Sequence, residues 1–169
     1  MRLFKSNLFS GTILPVLTLA LLMTACNKKE EKAPEAAPKA AATPASAAIT
    51  VTANDQMQFS VKSIDVTAGS SVVIILQNVG TMAKEAMGHD LTILRPGTDL
   101  AAFATKAMAA KDSDYMPASE TASVFAHTKL LGPGESDTLK FTAPTAGAYP
   151  FLCTFPGHYA VMQGVMTVK

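Results

Sequence analysis

From Ala48 onward the chain is a succession of short β-branched and aromatic runs, each cut off by turn residues before it can grow into a helix. The runs are Ile49–Thr52, Met57–Val61, Ile64–Val66, Val72–Leu76, His89–Leu94, Ala122–Ala126, Asp137–Phe141, Ala148–Cys153 and Gly164–Val168. Asn54-Asp55, Gly69-Ser70, Pro96-Gly97, Gly132-Pro133-Gly134 and Ala146-Gly147 punctuate them. Strands this short and this regularly spaced bury their apolar faces only by stacking, which predicts an all-β, antiparallel Greek-key sandwich or barrel. One stretch differs. Between Asp99 and Lys111, Leu100, Phe103, Ala104, Ala107 and Met108 recur at helical spacing behind a cap at Thr98 or Asp99, so one short helix lies against the sandwich.

The first 47 residues do not belong to that core, and 169 residues leave room for one domain plus appendages. Arg2 and Lys5 precede an apolar run from Leu8 to Met23, interrupted by Ser10, Gly11 and Pro15 and ending in Thr24-Ala25. This is the pattern of a signal peptide over residues 1–25. Met23-Thr24-Ala25-Cys26 resembles a bacterial lipobox, with Cys26 as the acylated first residue; an ordinary secretory peptide cleaved near Ala25 is the alternative. Asn27 follows Cys26 where known lipoproteins held at the inner membrane have Asp, so the expected anchor is the outer membrane. Residues 26–47 then form a tether rich in Ala, Pro, Lys and Glu, too poor in large apolar side chains to pack. The domain proper is 48–169.

Loss of Arg2 and Lys5 leaves 12 basic against 13 acidic residues, so nucleic acid is excluded as a partner by the lack of basic excess. Two cysteines in an exported chain would by default pair. Cys26 sits at the cleavage motif, however, which leaves Cys153 as a lone thiol needing a reason to stay reduced.

Metal ligation is such a reason. Cys153-Thr-Phe-Pro-Gly-His158-Tyr-Ala-Val-Met162 puts a thiolate, an imidazole and a thioether within ten residues, with Pro156-Gly157 turning the chain between the first two. A further donor must come from a distant strand, and His89, at the start of one, is the candidate. Soft sulfur with imidazole selects copper or zinc over magnesium or calcium, and two His, one Cys and a weak axial Met form the blue-copper donor set. His127, with no cysteine or carboxylate nearby, reads as a surface residue.

At these residues the chain resembles the azurins, small blue copper proteins of the cupredoxin family. The likeness spans residues 49–169 and is densest at Asn54–Phe59, Met87–His89, Ala126–Leu130 and Cys153–His158. It implies an equatorial copper plane of His89, Cys153 and His158, with Met162 and the Gly88 carbonyl as distant axial contacts. It also implies an apolar docking mouth formed by Met57, Met82 and Met87 around the loop residues Pro156, Gly157 and Val161, with Phe155 beside the site. Two departures stand out. Azurins carry a disulfide whose ends would fall near Ala47 and Ser70, neither of them cysteine here, and Asp90 replaces the Asn that follows the first ligand histidine.

The expected function is transfer of single electrons by one type 1 copper cycling between Cu(I) and Cu(II), without substrate turnover. Redox partners would be proteins such as c-type cytochromes or copper or haem reductases, and the membrane would be met through the lipid anchor. An oxidase or reductase needs an open coordination position or a second metal, which three histidines do not supply. A copper storage or delivery protein of the cell envelope is the alternative.

Overall fold

The computed structural model describes residues 48–169; the expected signal peptide, Cys26 and the tether lie outside them. The strands follow in chain order as β1 (Ile49–Asn54), β2 (Gln58–Phe59), β3 (Ser63–Val66), β4 (Ser71–Asn78), β5 (Thr92–Leu94), β6 (Val124–His127), β7 (Ser136–Thr142), β8 (Gly147–Leu152) and β9 (Gln163–Val168). They make two sheets, ordered β2-β1-β4-β7 and β3-β9-β8-β5-β6, the open two-sheet alternative of the architecture expected. Alternation drives the stacking. In β4, Val72, Ile74 and Leu76 are fully buried while their neighbours reach the surface, and Val51, Ile64, Phe151, Met166 and Val168 join them in one apolar cluster. Burying one such side chain is worth about 1.5–3 kcal/mol, so a strand with three inward residues holds only when the opposing sheet covers it.

Most pairings are antiparallel, but β1 lies parallel to β4 and β3 parallel to β9. The chain leaves β1–β2 for β3 in the other sheet and then returns to β4, so these neighbours are joined by crossovers and not by hairpins. The β8–β9 pair runs from Gly147↔Val168 to Leu152↔Gln163, which leaves residues 153–162 as its connecting loop. Beside it, Thr92 of β5 pairs with Leu152 of β8. That register carries the segment before β5 alongside the segment after β8.

Helix α2 (Leu100–Met108) forms where the apolar spacing predicts it, with Asp99 as the cap: its side chain accepts from the Ala102 N–H at 3.0 Å. Phe103, Ala104 and Ala107 bury against Leu94 and Leu152. A shorter helix, α1 (Lys84–Met87), was not evident from periodicity, since four residues are too few to show one. The strand expected from His89 begins only at Thr92, because His89 leaves the ladder to pair with Leu131. Likewise Ala122 and Ser123 belong to a 3-10 segment, Ala118–Ser123, and the strand starts at Val124.

Gly164, early in β9, has no room for a side chain: a Cβ there would lie 2.3 Å from the Phe151 ring and 2.4 Å from the Lys62 carbonyl. Gly164→Ala is expected to destabilise the domain by about 1–3 kcal/mol through overpacking, read as a lower denaturation midpoint at unchanged slope. A midpoint equal to wild type would mean that β9 tolerates the shift.

Candidate metal centre

Cys153 is the first residue beyond β8, and its N–H donates to the Met162 carbonyl at 3.0 Å, closing the base of the 153–162 loop. Within the loop, the His158 N–H bonds back to the Phe155 carbonyl at 3.0 Å across Pro156-Gly157, with Gly157 at φ 83°. The Met162 N–H then donates to the His158 carbonyl at 2.8 Å. Positive φ is why glycine stands at that turn. The loop thus presents Cys153, His158 and Met162 from a tightly bonded ring of backbone.

His89 arrives from the neighbouring strand. Two backbone bonds with Leu131, at 3.1 and 2.8 Å, hold it, and the buried Asn78 amide also donates to the Leu131 carbonyl at 3.2 Å. Gly88, just before it, admits no Cβ, which would lie 2.7 Å from the Lys84 carbonyl and 3.1 Å from Leu130. The register set by Thr92 and Leu152 brings these two separate pieces of chain face to face.

Their donor atoms converge. Cys153 Sγ lies 3.5 Å from His158 Nδ1 and 3.9 Å from His89 Nδ1, all three donors fall within 4.8 Å of one another, and the Gly88 carbonyl oxygen is 4.0 Å from the sulfur. Metal–nitrogen and metal–sulfur bonds of about 2.0–2.3 Å place three trigonal ligands about 3.5–4.0 Å apart, and both sulfur–nitrogen separations fall in that range, so the donor set suits a shared ion. The imidazole rings lie 5.0 Å apart between centroids, inclined by 37°. Met162 is fully buried, and of the three converging donors only His158, at 3%, keeps any exposure.

Burial dominates the electrostatics. It pushes the Cys153 thiol well above its usual range, with the Asp90 charge adding to the effect. It also draws His158 down to about 4, assisted by His89, and lowers His89 itself against the opposing influence of the Asn54 backbone and Asp55. The two imidazoles are therefore neutral near pH 7 and offer lone pairs. His89 Nε2 is buried with no partner at full hydrogen-bond geometry. A cation at the shared point would meet the two Nδ1 atoms that face the sulfur and would displace the thiol proton.

Asp90 stands beside the Cys153 sulfur and bridges the two pieces of chain. Its Oδ1 accepts from the Thr154 N–H at 2.6 Å and its Oδ2 from the Thr92 hydroxyl at 2.7 Å, tying the strand after His89 to the residue after Cys153. Burial raises its pKa while these bonds oppose the rise. Phe155 packs on His158 with centroids 4.7 Å apart, and Tyr115 stands edge-on behind Phe155 at 5.2 Å. Tyr115 gave no signal in the sequence, since it owes its position to left-handed backbone at Asp114 (φ 51°) and Tyr115 (φ 63°). Thr154 and Asn78 were likewise not anticipated. His127 stands apart, exposed, its Nδ1 on the Thr128 carbonyl at 2.9 Å. Of the expected docking residues, Met82 is 44% and Val161 52% exposed, Gly157 is exposed, and Met57, Met87 and Pro156 are half-buried.

The sequence matches the family model for copper-binding proteins of the plastocyanin/azurin family over residues 45–169. It is 43% identical over 122 residues to Azurin-2 of Alcaligenes xylosoxydans xylosoxydans, covering 69% of this chain and 93% of that one. It is 42% identical over 124 residues to outer membrane protein H.8 of Neisseria gonorrhoeae, covering 72% of this chain and 67% of the relative. Among solved structures, dithionite-reduced auracyanin from Roseiflexus castenholzii superposes with a TM-score of 0.65 at 39% identity, covering 74% of this chain and 98% of the other. A buried Cys and two His converging from two segments that flank β5 and β8 of one sheet, in a sequence that matches this family across its whole described domain, make the chain a copper-binding cupredoxin of the plastocyanin/azurin family.

Proposed function

We propose that the protein carries single electrons through one type 1 copper that His89, Cys153 and His158 would hold, with the Met162 thioether and the Gly88 carbonyl as further, weaker donors. Copper supplies a one-electron couple between Cu(I) and Cu(II). The observation that carries the reading is that all three donors sit on independently bonded backbone, buried to within a few per cent. Such a frame resists the rearrangement that the two oxidation states would otherwise prefer, and a soft mixed donor set serves both. The same burial argues against turnover of a bound substrate at the donors. It also argues against ready release of the metal, as storage or delivery would need.

The electron's route out runs over His158, the one of the three donors not fully buried, and through the face carrying Met57, Met82, Met87, Pro156, Gly157 and Val161. Adaptable methionines suit brief contact with redox proteins such as c-type cytochromes or copper or haem reductases. Export by residues 1–25 and anchoring through acylated Cys26 would hold the domain in the periplasm or at the outer surface on the 26–47 tether. The likeness to a relative named as an outer membrane protein supports this part of the reading.

Cys153→Ser is expected to abolish an intense visible thiolate-to-copper band while leaving a folded sandwich, and Met162→Leu to keep the colour and raise the reduction potential. Retention of the band in the first variant would sink the ligand assignment; a fall in potential in the second would remove Met162 from it. Val161→Lys is expected to preserve the spectrum and slow electron exchange by about tenfold, equivalent to ~1.4 kcal/mol in the barrier. An unchanged rate would mean another surface serves the electron. For the anchor, mass spectrometry of the membrane fraction should find a diacylglyceryl-modified chain beginning at Cys26, and an unmodified N-terminus there would rule the lipid out.

A further inference from the structure

Asp55, at the turn between β1 and β2, is no part of the metal centre, yet its carboxylate reaches a segment 26 residues further along the chain. Oδ2 accepts from the Thr81 N–H at 2.8 Å and the Thr81 hydroxyl at 2.9 Å, and Oδ1 from the Met82 N–H at 3.3 Å. The Thr81 backbone bond is the main reason its carboxyl lies below the usual range. Gly80 makes the approach possible, because a Cβ there would fall 2.2 Å from Asp55 Oδ1. The Asp55 turn is itself closed from within. Asn54 Oδ1 accepts from the Gln56 and Gln58 N–H groups at 3.0 and 3.2 Å, and Met57 is held at φ 53°, a left-handed conformation that few side-chain-bearing residues adopt.

Met57 and Met82 are thereby bound into one unit. Met57 in turn shares with Val161 the wall of a cavity of about 330 Å³, so the unit adjoins the metal-bearing loop. We propose that Asp55 is a positioning residue for the docking face: it latches Gly80–Met82 to the β1–β2 turn, so that Met57 and Met82 meet a redox partner as a single preformed surface. The inference rests on the reading above that electrons leave through this face. Methionine side chains adapt to many partners, but their backbones must be ordered before the encounter if that ordering is not to weaken every contact. The His89 backbone has its own anchor in Leu131, while its ring feels the Asn54 backbone and, last among its influences, the Asp55 charge.

The test uses the copper-loaded full chain and a second copy of itself as partner, an electron passing from the Cu(I) form to the Cu(II) form. Asp55→Ala should keep the visible spectrum and lower the self-exchange rate by about three- to tenfold, within the range over which association rates vary among variants of one interface. Amide hydrogen exchange at Thr81 and Met82, measured on the copper-free protein, should accelerate. Asp55→Asn, which keeps an acceptor, should recover part of both effects and also covers the case in which the alanine variant folds poorly. A changed spectrum would overturn the proposal by showing that Asp55 shapes the donor set and not the docking face. Normal self-exchange despite lost amide protection would overturn it too. Met82→Lys separates the two layers: if it slows exchange while Asp55→Ala does not, the latch is wrong and the docking face stands; if neither slows it, the docking face itself is refuted.

Discussion

A thiol in the middle of a β-sandwich cannot ionise on its own, because burial opposes the charge, and everything around Cys153 follows from that constraint. The sulfur is fully buried, two imidazole nitrogens and a carbonyl oxygen lie within 4.0 Å of it, and the nearby Asp90 charge opposes its ionisation further. Only a cation at the shared point makes the thiolate tenable. Copper at that point would bind residues that the fold has already brought together.

Holding those donors in place is a matter of backbone bonding on both sides. The 153–162 loop is closed by the Cys153–Met162 bond and by turns onto His158, while His89 hangs from Leu131 and is joined to the loop side by Asp90 through Thr154. Asp90, where the resemblance leads one to expect Asn, is therefore a strap between the two halves of the site. Behind the loop, Phe155 and Tyr115 fill the space that His158 would otherwise use to tilt. The site is rigid through its neighbours, and that rigidity is what a carrier of single electrons requires.

The cross-link that azurins place near Ala47 and Ser70 is absent, and such a bridge is typically worth about 2–4 kcal/mol. At Ser70 a hydrogen-bonded turn stands in its place. The Ser70 hydroxyl donates to the Thr67 carbonyl at 2.6 Å, its carbonyl accepts from Ala143 at 2.8 Å, and the Ala68 N–H reaches the Lys169 carbonyl at 2.8 Å. The turn so joins the start of β4 to the ends of β7 and β9. These bonds order the native turn without restricting the unfolded chain, so they offset the missing bridge by a different route.

Strand positions, the α2 helix with its Asp99 cap and the four side-chain candidates for the metal were legible in the sequence because each is a local pattern: alternation, helical spacing, or a cysteine, histidine and methionine set along one loop. Partners that depend on register were not. Nothing local distinguishes the edge at which His89 leaves its strand for Leu131, the parallel alignment of β1 with β4, or the left-handed backbone that turns Tyr115 toward Phe155. Asp55 and Asp90 are equally ordinary as residues, and their roles exist only because Thr81, Met82, Thr92 and Thr154 come within reach. The sequence by itself determined which atoms could bind copper. Tertiary structure decided that they face one point, since pairing between β5 and β8 brings residues 64 positions apart into contact.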